Sequence, residues 1–194
     1  MSKHITTTLL AALLLAALGL GGCGLLNNGI NDANGLINDA NVNLKNQQVA
    51  SEKMSKLTAE LDALGSTPQD ATRGLEITAQ IRAELQIQST ELQAAAAKIE
   101  KIKALDVDDT FKQYADLKVA ALVAQQAVVE KGLVMFAEMD KVFIAIRDGN
   151  ATTNLTGALS ANIKAMSDEI QQLSGKSLAA AAAADAYAEK NLPK

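Results

Sequence analysis

Thr78, Ile81, Leu85, Gln88, Leu92, Ala95, Ile99 and Ile102 recur at alternating spacings of three and four. Only a helix brings such positions onto one face, and an apolar stripe this long needs another helix to cover it. Gln88 is the polar interruption of the stripe. Just upstream, "TPQD" reads as a helix start, with Thr67 as N-cap, Pro68 at the first helical position and Asp70 three residues beyond the cap. That is the arrangement of a capping box. Gly74 weakens the early turns, and the pattern ends near Leu105.

The same grammar continues towards the C-terminus. "DVDD", Asp106 to Asp109, is a short connection whose carboxylates suit the positive end of a following helix. Acids adjacent in sequence at a helix start favour capping over metal binding. The next helix is expected from about Asp109 to Arg147. Its apolar face takes in Phe111, Tyr114, Val119, Leu122, Val128, Val129, Leu133, Phe136, Met139, Val142, Phe143 and Ile146. That breadth predicts more than one neighbour, with Gly132 as a point of close crossing. Val119 to Ala137 has the apolar character of a membrane span, but Gln125, Gln126, Glu130 and Lys131 interrupt it, and it reads as a core helix. Gly149 suits a helix stop. A last seam, Leu159, Ile163, Met166, Ile170, Leu173, Ser177, Ala180, Ala184 and Tyr187, keeps its phase through Gly175. Within it, Ala179 to Ala184 offers a thin surface for close helix packing, and Pro193 lies past the end.

The segment before this grammar is weaker. Ile30-Asn-Asp-Ala-Asn34 is repeated as Ile37-Asn-Asp-Ala-Asn41. Asp32, Asn34 and Gly35 fit the middle of a calcium loop, but Ile30 and Asn41 stand where its terminal carboxylates belong. Ile30, Ala33, Ile37, Ala40 and Leu44 instead form a heptad face. Asparagine and glycine are poor helix formers, so the expectation is a spacer over residues 23–45 that becomes helical towards its end. It merges into a helix striped by Leu57, Leu61 and Leu64 and stopped by Gly65.

"GLGGCG", Gly19 to Gly24, satisfies two patterns. As Gly19-x-Gly21-x-x-Gly24 it matches a dinucleotide-binding turn, which requires a strand before it and a helix after it. The preceding "ITTTLLAALLLAALGL" favours helix over strand, and no later segment supplies the sheet. Lys3 followed by an apolar stretch and then small residues is the layout of a secretory signal. Leu20-Gly21-Gly22-Cys23 resembles the lipobox of bacterial lipoproteins. The resemblance implies that residues 1–22 are a signal peptide cut before Cys23, whose sulfur then carries a diacylglycerol and whose amine is acylated. Leu20, Gly21 and Gly22 are the cleavage-site residues. In diderm bacteria an aspartate after the cysteine retains such proteins in the inner membrane, so Gly24 favours the outer membrane. In other bacteria the site is the outer face of the cytoplasmic membrane.

Removing that signal takes away His4, the single histidine, and acylation consumes Cys23, the single cysteine. No Ser-His or Cys-His machinery is then available, nor the usual ligands of zinc. "SGKS", Ser174 to Ser177, lacks the glycine that a phosphate-binding loop needs five residues before Gly175; Ile170 stands there. With 22 acidic against 18 basic residues the net charge is −4, which argues against nucleic acid as a partner. These exclusions predict no catalytic residues, no metal and no cofactor.

The expected architecture is all-α: an elongated antiparallel up-down bundle over residues 46–194. It has three long helices plus a shorter N-terminal one, the long ones about 50 Å at 1.5 Å per residue. The leading functional expectation is a non-enzymatic lipoprotein of the cell envelope. It would be held to a membrane through the lipid on Cys23 and act as a structural or interaction module on a protein partner or another copy of itself. A second is a carrier of a hydrophobic ligand, with Met135, Met139 and Met166 lining a groove. A third rests on resemblance to the murein lipoprotein, which shares a lipobox, Asn/Asp-rich heptads and a terminal lysine. That resemblance implies a peptidoglycan link through Lys194, but this chain is longer, folds back on itself and carries Pro193 before the lysine.

Overall fold

The computed structural model describes residues 28–192, and among them there are four long helices and no strand. They are α1 (Asn28–Asp62), α2 (Pro68–Glu100), α3 (Asp109–Arg147) and α4 (Thr153–Asn191), with a short 3-10 turn at Lys101–Ala104 finishing α2. The fold is an all-α helical bundle. Helices of 33 to 39 residues are about 50–58 Å long at 1.5 Å per residue.

Consecutive helices are antiparallel neighbours: α1 packs on α2, α2 on α3 and α3 on α4, while α1 and α4 form no comparable interface. The cross-links show the direction. Arg73, early in α2, pairs with Glu60 near the end of α1 at 3.0 Å. Gln113, early in α3, accepts from the Tyr187 hydroxyl near the end of α4, also at 3.0 Å. As its breadth predicts, α3 has two neighbours. By length and composition α3 also qualifies to cross a membrane, but here α2 and α4 pack against it.

The expected helix starts are present. The Thr67 side chain accepts from Asp70 N at 3.1 Å, and the Asp70 carboxylate accepts from Thr67 N at 3.2 Å, closing the capping box ahead of Pro68. The Thr67 hydroxyl, which donates to the Asp70 carboxylate at 2.8 Å, and after it the Thr67 amide hold the Asp70 carboxyl below its ordinary range. Asp108 caps α3 by accepting from the amides of Thr110 and Phe111, and Thr152 caps α4 by accepting from Leu155 N. Gly149, at φ 71°, takes the left-handed conformation that ends α3. Helix α4 continues without a break through Gly175.

Two expectations are corrected. The segment from Asn28 is not a spacer, and α1, at 35 residues, is no shorter than α2 at 33. Its seam runs from Ala33, Ile37, Ala40 and Leu44 through Gln47, Ser51, Met54 and Thr58 to Leu61, all buried. Burying an apolar side chain contributes about 1.5–3 kcal/mol, which outweighs a propensity deficit of under about 1 kcal/mol per residue. The asparagines also find partners on α2: Asn43 and Asn46 donate to Glu91, and Lys98 donates to Asn43 and to the Asp39 carbonyl. Nor is Gly132 the close crossing. A Cβ there would lie 3.5 Å from Leu85, an ordinary contact. The tight position is Gly74, where a Cβ would meet the buried Phe143 ring at 2.5 Å.

Candidate functional site

Leu20, Gly21, Gly22 and Cys23, the lipobox residues, lie outside the described residues, and so do Pro193 and Lys194. The described residues next to them in sequence are Asn28 and Leu192. Cys23 precedes Asn28, the first residue of α1, by five positions. Gly29 sits against the turn between α2 and α3 so closely that a Cβ on it would come within 2.2 Å of the Asp106 carbonyl oxygen. The end of α4 meets the start of α3 through Tyr187 and Gln113. One end of the bundle therefore gathers the start of α1, the α2–α3 turn and the end of α4. The other end presents the turns at 63–67 and 148–152.

Inside the bundle the polar groups fall into three places. In the α1–α2 seam, buried Gln47 donates to fully buried Gln88 at 3.3 Å. The Gln88 amide in turn approaches the Met54 sulfur at 3.8 Å. Gln88, a polar interruption in the sequence, thus has a polar counterpart on the neighbouring helix. A matched polar pair buried in a helix seam favours one register, since sliding either helix leaves both amides unpaired. On the α2–α3 side, Gln126 donates to Ser89 at 2.7 Å. Further along, Asp140 pairs with Arg82 at 2.7 Å and accepts from the Thr78 hydroxyl. These contacts align α2 with α3.

The third place lies between α3 and α4. Lys118 is buried, and its ammonium meets Asp185 at 3.7 Å, longer than a hydrogen bond. One turn earlier on α3, Tyr114 is completely buried, and its hydroxyl has no hydrogen-bond partner among the described residues. Burial pushes the Lys118 ammonium below the usual lysine range, with Asp185 opposing the shift. Burial, reinforced by the Asp185 charge, pushes the Tyr114 hydroxyl above the usual phenol range. An unsatisfied buried polar group costs about 1–3 kcal/mol, so the Tyr114 hydroxyl opposes folding. The facing stretch of α4 leaves room for both long side chains because it offers Ala181, Ala184 and Ala188, all buried or half-buried.

The expectation for α3 placed Tyr114 on its apolar face but passed over Lys118. The signal was present: Phe111, Tyr114, Lys118, Ala121 and Leu122 keep the seam spacing, so a lysine occupies a core position. No three carboxylate, histidine or cysteine groups among the described residues gather where they could hold a metal ion. Comparison with family models, with curated proteins and with solved structures finds no match to this chain.

Proposed function

We propose that this chain is a non-enzymatic lipoprotein of the bacterial envelope, a helical rod anchored through Cys23 that serves as a structural or interaction module. The observation that carries the reading is the close spacing of two features. Leu20-Gly21-Gly22-Cys23 resembles a lipobox, and a fully packed bundle begins at Asn28. Five extended residues span at most about 17 Å, so an acylated Cys23 holds the bundle close against the bilayer rather than on a long leash. With its start tied to the bilayer, the bundle's far end, the turns at 63–67 and 148–152, is free to meet a partner.

The up-down topology also bears on the wall-tether alternative. Leu192, two residues before Lys194, lies at the same end as Asn28. A bridge from membrane to wall through Lys194 would start and finish at one end, leaving the length of the rod unused. That arrangement favours the interaction module over the tether.

The test is crosslinking in intact envelopes from cysteines introduced singly at Ser66 and Asn150, in the far turns. The expected result is a discrete crosslinked species, either with another protein or with a second copy. Recovery of monomer alone from both positions contradicts the reading.

A further inference from the structure

Lys118 and Tyr114 stand one turn apart on α3, and Lys118 meets α4 through Asp185. Both side chains are more than nine-tenths buried. Between them they present one hydroxyl proton and three ammonium protons, and the charge beside them among the described residues is the Asp185 carboxylate, 3.7 Å from the lysine nitrogen. The Tyr114 hydroxyl has no partner among the described residues. This is a surplus of donors converging in an apolar setting, since Tyr114 belongs to the continuous hydrophobic core with Phe111, Val107 and Ile102.

Asp185 differs from the other two groups. Its side chain is 26 % exposed, so it can turn to water at little cost while the lysine and tyrosine cannot. The neighbouring packed positions of α4, Ala181, Ala184 and Ala188, carry no polar side chain. An incoming anion would therefore meet two buried donors and one displaceable counter-ion, beside the small apolar side chains of Ala181, Ala184 and Ala188. Helix α4 packs chiefly on α3, so a single interface has to part to admit it.

We propose that Tyr114 and Lys118 form a binding site for the carboxylate or phosphate headgroup of a ligand with an apolar chain, the headgroup taking the place of Asp185 beside Lys118. Hydrogen bonds from the hydroxyl and the ammonium hold the anionic oxygens, and the chain lies along the alanine-lined α3–α4 seam. The site is independent of the anchor, because nothing in it depends on acylation of Cys23.

The chain has no tryptophan and two tyrosines, so Tyr187→Phe leaves Tyr114 as the only tyrosine emitter. The experiment uses residues 23–194, which contain every described helix, carrying Cys23→Ser and Tyr187→Phe. Octanoate and octyl phosphate, below their micelle concentrations, are titrated against acetate and inorganic phosphate. The expected result is a saturable change in tyrosine emission with octanoate, octyl phosphate or both, and none with the two chainless ions at equal concentration. The arm that responds identifies the headgroup. Lys118→Met is expected to weaken binding at least tenfold, and Asp185→Asn to strengthen it severalfold, with thermal melts confirming that each variant is folded. The proposal is overturned by no saturable response to either amphiphile, by an equal response to the chainless ions, or by binding that survives Lys118→Met. Weaker binding in Asp185→Asn overturns the displacement of Asp185.

Discussion

A lysine at a seam position is the residue on which this fold departs furthest from its own pattern. Replacing a buried ion pair by apolar side chains is commonly neutral or stabilising, and removing one partner is costly only where the other stays buried. Asp185, left behind, is open enough to be solvated. Lys118→Met is therefore expected to raise stability by about 1 kcal/mol at neutral pH, measured by urea denaturation. The effect has a pH signature. Because burial lowers the Lys118 pKa in the folded chain, the unfolded chain binds the extra proton between that value and the ordinary 10.5. Stability of the parent rises with pH through that window, so the advantage of Lys118→Met shrinks as pH climbs through it towards 10.5. An advantage constant with pH contradicts the account. Glycines give a second residue-scale contrast. Gly35, Gly157 and Gly175 have open space where a Cβ would go, and alanine at each should add about 0.5–1 kcal/mol through helix propensity. Gly74→Ala forces a methyl into the Phe143 ring and should instead cost about 1–3 kcal/mol by overpacking. Gly74 was legible in the sequence only as a weak spot, because what makes it necessary is a ring 69 positions away.

Single elements were legible where a strong local signal and the tertiary contacts agree. Thr67-Pro68 and the alternating stripe of α2 say the same thing, and α2 starts where they place it. Helix α1 is the case where they conflict. Its asparagines and glycines argue against a helix, whereas its heptad argues for one, and the heptad prevails because α2 supplies a covering surface and partners for the amides. Propensity is read from the chain alone; the covering surface is not. The Gln47–Gln88 pair belongs to this scale because it joins two elements. Gln88→Leu alone leaves Gln47 buried without its partner and should cost about 1–3 kcal/mol. The double substitution Gln47→Leu, Gln88→Leu should recover that loss or better, while broadening the amide NMR spectrum as α1 and α2 lose a unique register. A double variant as unstable as the single one contradicts the pairing.

At the scale of the whole molecule, four helices joined by short turns leave little choice but consecutive antiparallel neighbours, and this much could be read from the spacing of seams and stops. What the seams do not encode is which polar groups end up inside. Lys118 keeps the seam spacing of α3, yet a lysine at one position of a stripe carries no local sign that it is buried. The proposed membrane anchor rests on six residues, Gly19 to Gly24, ahead of the described bundle, and on the five positions between Cys23 and Asn28. Trypsin has no site between Cys23 and Lys45, so the anchor can be weighed on one peptide. Mass spectrometry of the membrane-expressed protein should yield a peptide beginning at Cys23 and ending at Lys45, heavier by a diacylglyceryl group with or without an amide-linked acyl chain. The same peptide should vanish from the membrane fraction in Cys23→Ala. An unmodified Cys23, or a chain that still carries residues 1–22 in the mature protein, contradicts the lipid anchor on which the proposed function stands.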